Sequence, residues 1–178
     1  PIGMDDLVFI ANTEKSVKRF TSQQIQKIYK GYLVNRNEVG GNNKEIKPYT
    51  RNANSGSQEL MESLVMKDKK IKEWPELMIS SMIRIFGEII REPAGLAYTV
   101  HYYKEYIVRE DEVKSLAVDG IYPDKETIAD RSYPYTAEVY VSIRADIDKS
   151  STAYKIYELL QGEVGKQIIE ESGYVPYK

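Results

Sequence analysis

Cysteine is absent from the 178 residues. That excludes disulfides, thiolate metal sites and cysteine nucleophiles, and it leaves the redox compartment open between a cytoplasmic and an exported bacterial protein. Histidine occurs once, as His101, which is too little for a zinc site; in a strand beside Thr99, Tyr102 and Tyr103 it reads as a packed or rim residue. No charge of one sign dominates. With 25 Lys and Arg against 27 Asp and Glu the net charge is −2, so there is no global field for wrapping nucleic acid and any anion must be held by a local site. Long apolar runs are missing too, since charges interrupt each one well short of the roughly 20 residues that span a bilayer. The opening PIGMDDLVFIAN is strand-like and lacks the basic start of a signal peptide, so the chain is expected to begin inside a longer one.

What is present describes a folded domain. Hydrophobic residues make up 42% and charged residues 29%, close to globular averages, which argues against a disordered or fibrous chain. The length fits one domain or two small lobes. Leu7 to Ala11, LVFIA, is a continuous apolar run, the pattern of a strand buried on both faces. Thr21 and Gln24 form a capping box for a helix with Ile25, Ile28, Tyr29 and Leu33 inward, and Phe20 is placed to staple onto Ile25. After a short strand, IKPYT, a second helix carries Leu60, Met61, Leu64 and Val65 on one side. KDKKIKEWPE reads as a solvated connection, and ELMISSMIRIFGEIIRE as one helix ended by Pro93 and Gly95. GLAYTVHYY, KSLAVDG and TAEVYVSIR read as strands, and YPDKETIADRSY as a short helix entered through Pro123 and Asp124. Two helices close the chain: STAYKIYELLQ, with Ala153, Ile156, Tyr157 and Leu160 inward, and EVGKQIIEES, capped by Gly173. Strands alternating with helices predict an α/β fold with a mostly parallel sheet flanked by helices.

One stretch suggests chemistry. In YTRNANSGSQELM, residues 49–61, Arg51 stands four positions before Ser55-Gly56-Ser57, which runs into the second helix. Ser55 with Gln58 satisfies an S-x-x-Q cap, and that reading alone accounts for the serine. The strand-loop-helix placement also offers free backbone N–H groups at the positive end of a helix, where anions bind. Gly56 keeps a Cβ out of the way, the two serine hydroxyls can donate beside those amides, and Arg51 can add a charge-assisted contact.

PYTRNANSGSQELMESLVM resembles the anion-binding segment of the phosphate-binding proteins that serve bacterial phosphate ABC transporters, members of the type II periplasmic binding protein fold. DDLVFIANTEKSVKRFTSQQIQKIYKGYLVNRNEVGG, EPAGLAYTVHYY and LLQGEVGKQIIEESGYVPY are similar to other family segments in the same order, so the likeness covers nearly the whole chain. The resemblance implies a phosphate contact at Arg51, Ser55, Gly56 and Ser57. Two departures stand out: Ala53 replaces an acidic residue that often follows the family arginine by two positions, and Ser57 replaces a common threonine. Family members also carry a first lobe ahead of the strand at Leu7, including a carboxylate that accepts the proton of hydrogen phosphate, and these residues do not contain it.

The resemblance thus implies a type II periplasmic-binding-protein-like α/β fold with one full lobe, residues 8–112, plus hinge strands and the C-terminal part of a second, residues 1–7 and 113–178. Its implied function is an extracytoplasmic solute-binding protein for inorganic phosphate or a similar oxyanion, a lipoprotein anchored at the bacterial surface or a periplasmic protein, delivering to an ABC transporter permease. No cofactor, metal or nucleic acid is expected, and a homo-oligomer through the incomplete lobe is. The alternative is a sensory or interaction module with a vestigial anion site. An esterase reading fails at Ser55, which has no G-x-S-x-G elbow and no base other than the distant His101. Glu59 and Glu62 read as exposed carboxylates rather than an acid-base pair. The 15 tyrosines scatter without an interleaved basic patch, so packing is favoured over nucleobase stacking.

Overall fold

The computed structural model describes residues 1–14 and 17–177. The chain runs β1 (Gly3–Asn12), β2 (Arg19–Phe20), α1 (Ser22–Tyr29), β3 (Lys47–Pro48), β4 (Thr50–Arg51), α2 (Gly56–Leu60), β5 (Met78–Ile79), α3 (Arg84–Arg91), β6 (Gly95–Val100), β7 (Val113–Ser115), β8 (Ala117–Val118), α4 (Lys125–Ala129), β9 (Thr136–Val139), α5 (Thr152–Gln161), α6 (Glu163–Ser172) and β10 (Val175–Pro176). α2 continues directly into a π-helical stretch, Met61–Met66.

β1 organises the fold. All ten of its residues are buried, because both faces are covered: Leu7, Phe9 and Ala11 enter one apolar cluster with Ile25, Ile28, Tyr29, Met61 and Tyr98, while Val8 and Ile10 enter another with Ile85, Phe86 and Ile89. This alternation is what an uninterrupted apolar run must do when each side chain faces opposite its neighbour. Both edges of β1 are paired as well. Gly3 lies between Val139 of β9 and Pro176 of β10, and Ile10 lies between Ala97 of β6 and Ser115 of β7.

The α/β class holds, but the expected mostly parallel sheet does not extend to β1, which is antiparallel to β6, β7, β9 and β10. Among the described residues, parallel pairing is confined to β3 with β6, β2 with β8 and β4 with β5. The physical reason is connectivity: helices carry the chain over between β3 and β6 and between β4 and β5, so those pairs run the same way. β1 meets its partners from the opposite end.

Helix α1 begins as its capping box predicts, with Thr21 Oγ1 accepting from Gln24 N at 3.1 Å and Gln24 Oε1 accepting from Thr21 N at 2.8 Å. The segment read as one helix from Glu76 splits instead. Met78 and Ile79 form β5, paired with Thr50 and Arg51, and the helix starts only at Arg84. TAEVYVSIR also shortens to Thr136–Val139. In α5 the expected inward face is not buried: Ala153 and Ile156 are exposed, and Tyr157 and Leu160 are half-buried. Among the described residues its main neighbour is α6 alone, so little packs over that face.

Candidate functional site

Arg51 is the last residue of β4 and is 6% exposed. Pairing with β5 brings Ser80 alongside, and the Arg51 Nη2 donates to the Ser80 carbonyl at 3.2 Å. Its Nε is buried without a partner. Burial pulls the guanidinium pKa down, with the Tyr98 and Tyr103 hydroxyls opposing, yet arginine remains charged at any physiological pH. The neutral Ser80 carbonyl therefore positions the charge without cancelling it.

A hydrogen-bonded chain fixes the Arg51 backbone to α2. The Arg51 amide donates to Tyr98 Oη at 3.1 Å and to Gln58 Oε1 at 3.2 Å, and the Tyr98 hydroxyl donates to the same Gln58 oxygen. Gln58 Nε2 in turn donates to Glu62 Oε1 at 2.8 Å. Tyr98 is held by its ring, which meets Tyr29 and Phe9 edge-on at 5.6 and 6.3 Å between centroids. A buried tyrosine needs a partner for its hydroxyl, and Gln58 and Arg51 supply it.

This use of Gln58 overturns the S-x-x-Q cap. Ser55 stands at the N-cap position of α2 but its side chain makes no capping bond, and the Gln58 side chain, which would close the box from the other end, turns to Arg51 and Tyr98. The Ser55 hydroxyl lies 3.0 Å from that of Ser57 instead. Ser55 N donates to the Asn52 carbonyl at 3.0 Å, and Gln58 N and Glu59 N to the Ser55 carbonyl. Among the described residues, Gly56 N and Ser57 N are left with no protein acceptor. Gly56 is exposed, and a Cβ there would meet nothing within 4 Å, so the protein's own packing does not require glycine. The space that a side chain would take at Gly56 is open to an incoming group, while Ser57 is buried.

The structure thus groups Ser55, Gly56 and Ser57 in the first turn of α2, with Arg51 one loop away and joined to them through Gln58. The guanidinium itself shares no hydrogen bond with either serine. Tyr98, Gln58, Glu62 and Ser80 escaped the sequence reading as site residues. The one available signal was Tyr98, a polar-tipped residue inside the apolar strand GLAYTV.

A family profile described as PBP superfamily domain matches residues 1–153. The chain belongs to the PBP superfamily. This PBP-superfamily chain is 26% identical to the phosphate-binding protein PstS of Borreliella burgdorferi over 98% of its own length and 64% of that protein's. It is 23% identical to the phosphate-binding protein PstS of Bacillus subtilis, over 93% of this chain and 53% of that one. It therefore spans roughly half to two thirds of these curated relatives. The fold is similar to that of an ABC-type phosphate transport receptor from Vibrio cholerae, with a TM-score of 0.77 at 23% identity, covering 97% of this chain and 70% of that one.

Proposed function

We propose that this chain is the oxyanion-binding part of an extracytoplasmic solute-binding protein that captures inorganic phosphate for an ABC transporter. The observation that carries the reading is the pair of unengaged amides at Gly56 and Ser57, flanked by two serine hydroxyls and by a buried arginine with a free Nε. Arg51, Ser55, Gly56 and Ser57 are the contacts assigned to the ion. Three or four charge-assisted bonds at about 1.5–3 kcal/mol each support binding near the micromolar range once ordering costs are subtracted. The relatives that match most of this chain are named phosphate-binding proteins, which favours phosphate over other oxyanions and a binding role over catalysis.

Residues 8–112 form the binding lobe in this reading, and residues 1–7 and 113–178 contribute to the hinge and the other lobe. A transporter permease is the partner, and attachment to the outer face of the membrane, as a lipoprotein or in the periplasm, is the location. Calorimetry with phosphate, sulfate and molybdate tests the site: phosphate heat that disappears in Arg51→Ala supports it. No heat with any of the three, or binding unaffected by that substitution, refutes it.

A second reading, an interaction or sensory module with a vestigial site, is favoured by the uncovered face of α5. An oligomer on a sizing column that is indifferent to phosphate would support it.

A further inference from the structure

The loop that joins the π-helical end of α2 to β5 reads from sequence as a solvated connection, yet it walls a cavity of about 690 Å³. Arg51 and Gln58 line this cavity, and so do Ile71, Trp74 and Pro75. A tetrahedral oxyanion fills a small part of such a space; cavities of about 300–1,000 Å³ with apolar walls and a few convergent polar groups are the size that holds organic ligands. Arg51 contributes a buried, permanently charged group with an unpartnered Nε, and Trp74 is half-buried.

The charges along the loop favour an anion. Lys67, Lys69, Lys70 and Lys72 all line the cavity. Lys72 Nζ lies over the Trp74 ring at 5.4 Å from its centroid, and Lys69 Nζ donates to Gln26 Oε1 at 2.9 Å. Lys67 and Lys70 form no ion pair with a described residue. Of the acidic lining groups, Glu62 is engaged by Gln58, while Asp68 and Glu73 are exposed on the loop. An anion with an apolar body matches this surface better than a small, fully hydrated ion does.

We propose that the cavity accepts the organic body of a phosphomonoester whose phosphate is held at Arg51, with Trp74 and Ile71 against a flat apolar group. This rests on Arg51 being an oxyanion contact, and it extends the ligand class from inorganic phosphate to compact organic phosphates. Trp74 is the only tryptophan in the chain, so its fluorescence reports on its own surroundings, this cavity and the smaller one that it also lines beside Leu33 and Pro48. The test titrates the whole chain with phenyl phosphate while following Trp74 emission, beside calorimetry with inorganic phosphate. The expected result is a saturable change in emission, reversed by excess inorganic phosphate. Trp74→Ala should bind phenyl phosphate about tenfold more weakly, the scale of one lost aromatic contact, with inorganic phosphate binding unchanged. If Trp74→Ala does not fold, the emission of the unaltered chain decides. Inorganic phosphate heat without any response to phenyl phosphate overturns the cavity proposal and leaves the oxyanion reading standing. Phenyl phosphate binding with silent Trp74 emission also overturns it, and binding of neither ligand removes both.

Discussion

The Tyr98 hydroxyl accepts the Arg51 backbone amide at 3.1 Å and donates to Gln58, so a residue in the middle of β6 holds the end of β4 against α2. Removing that hydroxyl should loosen Arg51 without touching its side chain. Tyr98→Phe is expected to cost about 1–2 kcal/mol of stability, the range for a buried hydrogen bond whose partners lose a contact, and to weaken phosphate binding several-fold. Urea unfolding and calorimetry measure the two effects; full affinity together with lost stability would show that Tyr98 is only a core residue.

Gly56 allows binding and stability to be separated. A Cβ at this position meets nothing in the protein, and alanine reduces the freedom of the unfolded chain, so Gly56→Ala should leave stability unchanged or raise it by about 0.5–1 kcal/mol. The same methyl group would stand where an oxyanion must approach the Gly56 and Ser57 amides. Phosphate affinity should therefore drop at least tenfold while the melting temperature holds, and an unaltered affinity would place the ion elsewhere.

Two neighbouring carboxyls in β1 predict how stability changes with pH. Burial pushes Asp5 up to about 6 and Asp6 up to about 7, from 3.8. Neither buried Asp6 oxygen has a hydrogen bond of good geometry, and the nearby Thr136 hydroxyl, which donates to the Tyr133 carbonyl at 3.0 Å, opposes the rise only in part. The folded state therefore binds protons that the unfolded chain has already released, and stability falls as pH rises from about 4 to about 7. His101 acts the other way, because burial lowers its pKa from 6.5 and the folded state loses stability as pH falls through that range. Asp6→Asn removes the larger carboxyl contribution. It should flatten the profile above about pH 6, where Asp5 has finished titrating, and stabilise the chain at pH 8 by on the order of 3 kcal/mol. Urea midpoints across pH 4–8 check this, and an unchanged slope would contradict it.

The outer face of α5 should tolerate charge. Ile156 is 54% and Leu159 45% exposed, so Ile156→Glu with Leu159→Glu is expected to change monomer stability by less than about 0.5 kcal/mol. A larger loss in thermal unfolding would mean that another surface covers this face in solution.

Legibility in the sequence depended on range. The LVFIA run and the Thr21–Gln24 box are decided by neighbouring residues, and both took the expected form. β5 was hidden because Met78 and Ile79 continue an apolar helical period; only pairing with Thr50 and Arg51 makes them a strand. The reciprocal half of the Ser55 box is missing for a similar reason. Gln58 has two competing uses, one three residues back and one reaching Tyr98, 40 positions away in the chain, and the distant use prevailed. Arg51 and the Ser-Gly-Ser turn stand out from local pattern as candidate contacts, whereas Tyr98, Gln58, Glu62 and Ser80 meet them or one another through bonds that local pattern does not reveal. The apolar spacing of α5 predicts a buried face, a rule that presumes a partner surface.

β1 has one further implication. Its first residues are clamped between β9 and β10 and its last between β6 and β7, so a cut between residues 7 and 8 would sever a continuous ladder rather than a linker. Neither set of neighbours can melt without stripping rungs from the strand that the other set needs. Heat or urea should accordingly dismantle the chain in a single cooperative step, and strain imposed at the Gly3 end will be felt at Asn12 along one unbroken backbone.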